Sequence, residues 1–268
     1  MGPGVRRDDA NCIGHPMTSL VAVTSILSLG LVMSPIANMQ AAELKVIAGG
    51  SMTGALNELG PQFERASGHK LVIHFNSTPN IIALVTSGTP FDLAVVPVDV
   101  FKDAGAKARF APSPTIDIAR VGYGVIVRAG TPKPDISTPD ALKQTLLDAP
   151  SVAFVPASAA GAYALKVFDR LGIAEAMKAK TKPQTTPADI APAVAKGDAE
   201  LGVFLVNVLM APGVEPAGSF PAELQQDLVF TAAVAADTKE ADAAKAFIDY
   251  LTTPAATAVI RAKGMTPG

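Results

Sequence analysis

The groups in this sequence best suited to chemistry are hydroxyl side chains beside glycines, at points where an apolar run gives way to a helical pattern. Ala48-Gly49-Gly50-Ser51-Met52-Thr53 follows the apolar run Leu44-Lys45-Val46-Ile47 and precedes Leu56, Leu59 and Phe63 at helical spacing. The reading is a strand, a glycine turn and a helix capped by Ser51. A helix start leaves backbone N–H groups without partners and carries partial positive charge, and glycine lets a ligand approach that backbone closely. With Ser51 and Thr53 as added donors, the turn is a candidate anion cradle; the plainer alternative is that Ser51 is only an N-cap. The pattern recurs. In Phe75-Asn76-Ser77-Thr78-Pro79, Thr78 is expected to cap a helix with Pro79 at its first position. Pro156-Ala157-Ser158-Ala159-Ala160-Gly161 makes a third such turn. Together they describe a pocket of neutral donors, with no GxGxxG or Walker loop.

Other reactive groups are few. Cys12 is the single cysteine, and the histidines beyond the first stretch are His69 and His74, too few for a metal cluster. His74, between Ile73 and Phe75, is either a proton carrier or an ordinary strand residue, and Asp92 reads as structural. The net charge of −2 with no basic run argues against nucleic-acid binding. Arg6 and Arg7, the apolar run from Leu20 to Met33 and the small residues around Ala41 and Ala42 read as a secretory signal peptide over 1–41. About 227 residues (268 minus 41) then remain, enough for a substantial core without disulfides.

From Glu43 onward the pattern alternates strand and helix. Strands are expected at Leu44–Ile47, Lys70–Phe75 and Phe91–Val96, with helices over Met52–Ala66 and from Pro79. Such alternation implies a parallel sheet covered by helices, with ligands beyond the carboxyl ends of the strands, where Ser51 and Ser77 lie. Asp117–Arg128 reads as a long extended segment broken by Gly122 and Gly124, leaving one sheet for another. A second alternation follows: strand Ser151–Val155, helices Gly161–Leu171 and Pro187–Lys196, strand Leu201–Val206. Leu228–Ala235 is a second long strand, and two helices close the chain. The expected organisation is two lobes joined by a two-strand hinge: 42–119 and 230–268 in one, 120–229 in the other.

Gly50-Ser51-Met52-Thr53-Gly54-Ala55-Leu56, Phe63–Lys70, Asn76-Ser77-Thr78 and Gly88-Thr89-Pro90-Phe91-Asp92 resemble type II periplasmic substrate-binding proteins of the molybdate-binding, ModA-like family. Gly161-Ala162-Tyr163-Ala164 and the ending around Phe247–Leu251 and Pro254 extend the resemblance over nearly the whole mature chain. It implies an α/β, two-lobed type II periplasmic binding fold and a monomer exported to the periplasm. It also implies a molybdate- or tungstate-type oxyanion held without a cofactor, and delivery to an ABC permease. Ser51 and Ser77 match the family's two binding serines; its backbone-amide contact falls on Ala160 or Gly161. The ligand-binding set expected on these grounds is Ser51, Thr53, Ser77, Thr78, Ala160, Gly161 and Arg120. The family's binding tyrosine belongs near Gly202–Asn207, where Phe204 and Asn207 stand instead. Ile118–Gly122, Pro134-Asp135-Ile136 and Lys263-Gly264-Met265 are also similar to a broader subgroup that includes aconitate isomerase. In that alternative Arg120 meets a polycarboxylate and His74 carries a proton. Binding is expected ahead of catalysis, because no acid and base are paired at a defined spacing.

Overall fold

The computed structural model describes residues 41–268, so residues 1–40 of the expected leader lie outside the described residues. None of the described helices is long and apolar enough to cross a membrane.

The chain opens as β1 (Glu43–Gly49), α1 (Thr53–Ser67), β2 (Lys70–Asn76), α2 (Thr78–Thr86) and β3 (Leu93–Pro97). Leu93 to Pro97 are all buried, as befits a parallel strand covered on both faces. Gly68 ends α1 in the left-handed conformation at φ 78°, which costs glycine no side-chain clash. After the short α3 (Ala104–Lys107) come β4 (Phe110–Val121) and β5 (Tyr123–Arg128). The next elements are α4 (Pro139–Asp148), β6 (Val152–Phe154), α5 (Ala159–Arg170), α6 (Ala174–Lys180), β7 (Thr181–Pro183), α7 (Ile190–Lys196), β8 (Leu201–Leu205) and β9 (Val214–Ser219). β10 (Leu228–Ala235), α8 (Ala241–Leu251), α9 (Pro254–Ala262) and β11 (Thr266–Pro267) finish the chain.

Two sheets result. The first has the order β11-β4-β10-β3-β1-β2 and the second β7-β6-β8-β5-β9. β1 pairs in parallel with β2 and β3, while β10 runs antiparallel between β3 and β4. The passage between sheets is abrupt: Val121 pairs with Leu228 in the first sheet, and Tyr123 pairs with Leu205 in the second. Gly122 lies between them, where a Cβ would come within 3.1 Å of the Gln225 amide. That amide brackets the next residue, accepting from Tyr123 N at 2.7 Å and donating to Tyr123 O at 3.0 Å. One apolar core runs through both sheets, and a smaller one lies around Ile81, Phe91 and Phe110.

Two local expectations need correction, and one strand lies where none was expected. Met52, not Ser51, occupies the N-cap position of α1, because a single 3-10 turn over Gly50–Met52 intervenes. Ser77, not Thr78, occupies the N-cap position of α2, and its side chain makes no capping bond. β9 lies in a stretch whose Pro216 and Gly218 conceal strand character; both are tolerated because β9 is an edge strand.

Candidate functional site

The starts of α2 and α5 and the turn before α1 converge with Pro187 on one small cavity of about 20 Å3. Gly49 ends β1 directly beneath the ring of Phe230, where a Cβ would lie 2.9 Å from Phe230 Cε1. A side chain at this position would force the Phe230 ring to shift. Ser51 follows within the 3-10 turn and lines the cavity. Its hydroxyl makes no hydrogen bond among the described residues, because capping has passed to another position. Ser77 likewise lines the cavity; its carbonyl accepts from Ile81 N at 2.9 Å, which starts α2, and its hydroxyl makes no hydrogen bond among the described residues.

The second sheet supplies the opposite wall. Ser158 caps α5, accepting from Gly161 N at 2.9 Å and donating to Val155 O at 2.8 Å. Ala159 N donates to Thr78 Oγ1 at 3.3 Å, a bond that joins the two sheets across the cavity. Ala160 also lines the cavity, and its N–H belongs to the first helical turn, where no intrahelical acceptor exists. Among the described residues no Lys, Arg, His, Asp or Glu side chain lines this space. Its polar lining is hydroxyl, amide and peptide. A second bond between the sheets runs from Asn207 Nδ2 to Ser51 O at 2.8 Å.

The structure thus brings Ser51, Ser77, Thr78 and Ala160 together and sets three expected residues apart. Thr53 Oγ1 donates to Gly50 O at 2.6 Å and does not reach the cavity. The Gly161 amide is consumed by Ser158, and Gly161 is required sterically, since a Cβ would stand 1.8 Å from Val155 O. Arg120 projects from β4, between β10 and β11, and pairs with Asp117 at 2.8 Å, away from the cavity. His74 is exposed on the edge strand β2, so the proton-carrier reading finds no support. Asp92 is structural: its two oxygens accept from Lys45 N at 2.7 Å and Thr238 Oγ1 at 2.6 Å. Among the described residues no His, Cys, Asp and Glu group is arranged to hold a metal.

Beyond the Thr78–Ala159 bond the space widens into a groove of about 490 Å3, which shares Thr78, Ser158, Ala159 and Leu228 with the cavity. Tyr123 lines it, a residue the sequence reading passed over as part of a strand. The only signal was its place between Gly122 and Gly124. Burial pushes the Tyr123 phenol well above its ordinary pKa, and the neighbouring Tyr163 and Asp99 push it further.

This arrangement can be set beside known proteins. The profile of the bacterial extracellular solute-binding protein family matches residues 44–266. The chain is 31% identical over 232 residues to the aconitate isomerase of a Pseudomonas species, covering 84% of this chain and 87% of that protein. It is 29% identical over 231 residues to the molybdate-binding protein ModA of Azotobacter vinelandii, covering 84% and 90%. Among solved structures, the periplasmic molybdate-binding protein of Azotobacter vinelandii superposes with a TM-score of 0.70 at 21% identity, over 83% of this chain and 98% of that one. The chain belongs to the bacterial extracellular solute-binding protein family and has the ModA-like, type II periplasmic binding fold.

Proposed function

We propose that the protein is the periplasmic solute-binding component of an ABC transporter. It holds the charged group of a small anion in the cavity between the two sheets and delivers it, as a monomer, to a membrane permease. The observation that carries this reading is the convergence of helix starts with two serine hydroxyls, Ser51 and Ser77, that have no hydrogen-bond partner among the described residues, on a space that no charged side chain of those residues lines. Helix starts bring partial positive charge without a counter-ion. Hydroxyls and amides from both sheets can surround a compact ion and replace its water. The cavity of about 20 Å3 has room for on the order of one water, so a larger group requires the sheets to part and close again.

A tetrahedral oxyanion of the molybdate or tungstate type is the first candidate for that group, since donors reach the cavity from both sides. A small polycarboxylate is the second, and binding it is compatible with aconitate isomerisation. The likeness to an aconitate isomerase and the groove beside the cavity favour this second reading. Thermal unfolding with molybdate, tungstate, sulfate, citrate and cis-aconitate tests both readings. A ligand that binds the folded form raises the midpoint by mass action, and chromatography of cis- and trans-aconitate detects turnover. A shift with at least one of these anions is expected. No shift with any of them, and no turnover, would sink the reading.

A further inference from the structure

We infer that the groove beside the cavity is a second subsite, which takes the far acidic group of an elongated organic anion, a small di- or tricarboxylate. The inference rests on the reading of the Ser51–Ser77 cavity as the site of the first acidic group.

The groove is a continuation of the cavity. It shares four wall residues with it and is many times larger, about 490 Å3 against about 20 Å3. A tetrahedral oxyanion has no use for that length, whereas a carbon chain carrying a second carboxylate does. Its inner wall also holds a donor with no internal partner. Tyr123 is only 1% exposed, yet its hydroxyl makes no hydrogen bond among the described residues. The ring is buried while the hydroxyl is not among the fully buried unpartnered atoms, so the hydroxyl meets the groove and is available to a ligand.

The side chain is also held in place. Its ring lies 4.8 Å from that of Tyr163 and 5.7 Å from that of Phe220, and its peptide groups are bracketed by Gln225. Since burial keeps the phenol protonated, Tyr123 offers a fixed O–H to an anionic oxygen.

A cation stands on the same wall. Ala159, Ala162, Tyr163 and Lys166 all line the groove from α5, at the three- and four-residue spacing that puts side chains on one helix face. Lys166 is exposed and makes no ion pair among the described residues, unlike Lys102, which Asp99 holds at 2.6 Å. Asp227 lines the groove as well, so its four charged side chains sum to zero. The groove as a whole does not draw anions. The second acid group is placed by one phenol donor and one lysine.

The test is calorimetric titration of the full chain with cis-aconitate, citrate, acetate and molybdate, for the wild type, Tyr123→Phe and Lys166→Met. Tyr123→Phe keeps the ring packing, and Lys166→Met alters an exposed position that leaves folding intact. The wild type is expected to bind a polycarboxylate at least tenfold more tightly than acetate. That ratio should fall about ten- to a hundredfold in Tyr123→Phe, the usual range for losing a hydrogen bond to a charged group, and severalfold in Lys166→Met. Molybdate bound while polycarboxylates are not, or a ratio unchanged in both variants, would overturn the second subsite and leave the cavity reading standing. Failure of all four anions to bind the wild type would contradict both.

Discussion

In the proposed anion site Ser51 has a hydroxyl to offer because it is not a cap. A single 3-10 turn shifts the start of α1 by one residue, which leaves the Ser51 hydroxyl at the cavity wall with no hydrogen bond among the described residues. Ser51→Ala is therefore expected to change stability by less than about 0.5 kcal/mol while weakening anion binding; chemical denaturation alongside titration separates the two effects. Arg120→Ala is the converse case. Its partner Asp117 is only part-buried, and such pairs contribute about 0–1 kcal/mol. Anion affinity should stay within about twofold of the wild type, and a large loss would return Arg120 to the site. Gly161→Ala should be poorly tolerated for a different reason. With a Cβ 1.8 Å from Val155 O, the α5 start has to move, at a cost of about 1–3 kcal/mol, measurable as a lower denaturation midpoint. The meeting of Ser51 and Ser77 at one cavity was legible because their neighbours and spacing mark turns between strand and helix. The distance of Arg120 from the cavity was not legible, because residue type and strand membership do not say which end of a strand faces it. The place of Tyr123 on the groove wall was not legible, because the partner of its peptide groups, Gln225, lies 102 positions away.

The elements that carry the site are the turns after β1 and β2 and the start of α5, held against one another by side chains from distant elements. Gln225 is the clearest of these. It satisfies both peptide groups of Tyr123 where the chain passes from one sheet to the other. Gln225→Ala leaves the Tyr123 N–H without its partner, whereas the Tyr123 carbonyl still accepts from Phe220 N at 2.9 Å; the loss of about 1–3 kcal/mol should appear as faster amide exchange at Tyr123. Asn207 acts at the other side of the cleft, donating from the end of β8 to Ser51 O. The parallel β1, β2 and β3 were readable because short apolar runs alternate with helical periods. The crossing near Gly122 was readable because two glycines interrupt a long apolar segment. β9 was not, since its edge position permits Pro216 and Gly218, whose sequence signature is that of a loop.

At the scale of the whole molecule, we propose that the two sheets are lobes that part to admit the anion and close over it. In the closed form Thr78 meets Ala159 and Asn207 meets Ser51. Ligand should then reduce the radius of gyration in solution scattering, and Asn207→Ala should shift the unliganded chain toward the larger value. The buried Tyr123 gives a pH signature of the fold itself. Its phenol is raised in the folded state above the value of about 10 that it has when unfolded. The folded chain therefore holds the proton more tightly, and the stability gained below pH 10 is lost as pH rises beyond it. A denaturation series across that range should show the decline, and Tyr123→Phe should remove part of it. The two-sheet plan was legible as a pair of strand–helix alternations separated by long extended segments. The ligand was not, because it depends on how the two walls meet. The most direct measurement of that meeting is titration of the wild type, Ser51→Ala and Ser77→Ala with whichever of molybdate, tungstate, sulfate, citrate or cis-aconitate stabilises the wild type. Each variant is predicted to bind about ten- to a hundredfold more weakly while remaining folded. Undiminished affinity in both folded variants would contradict the assignment of this cavity as the anion site.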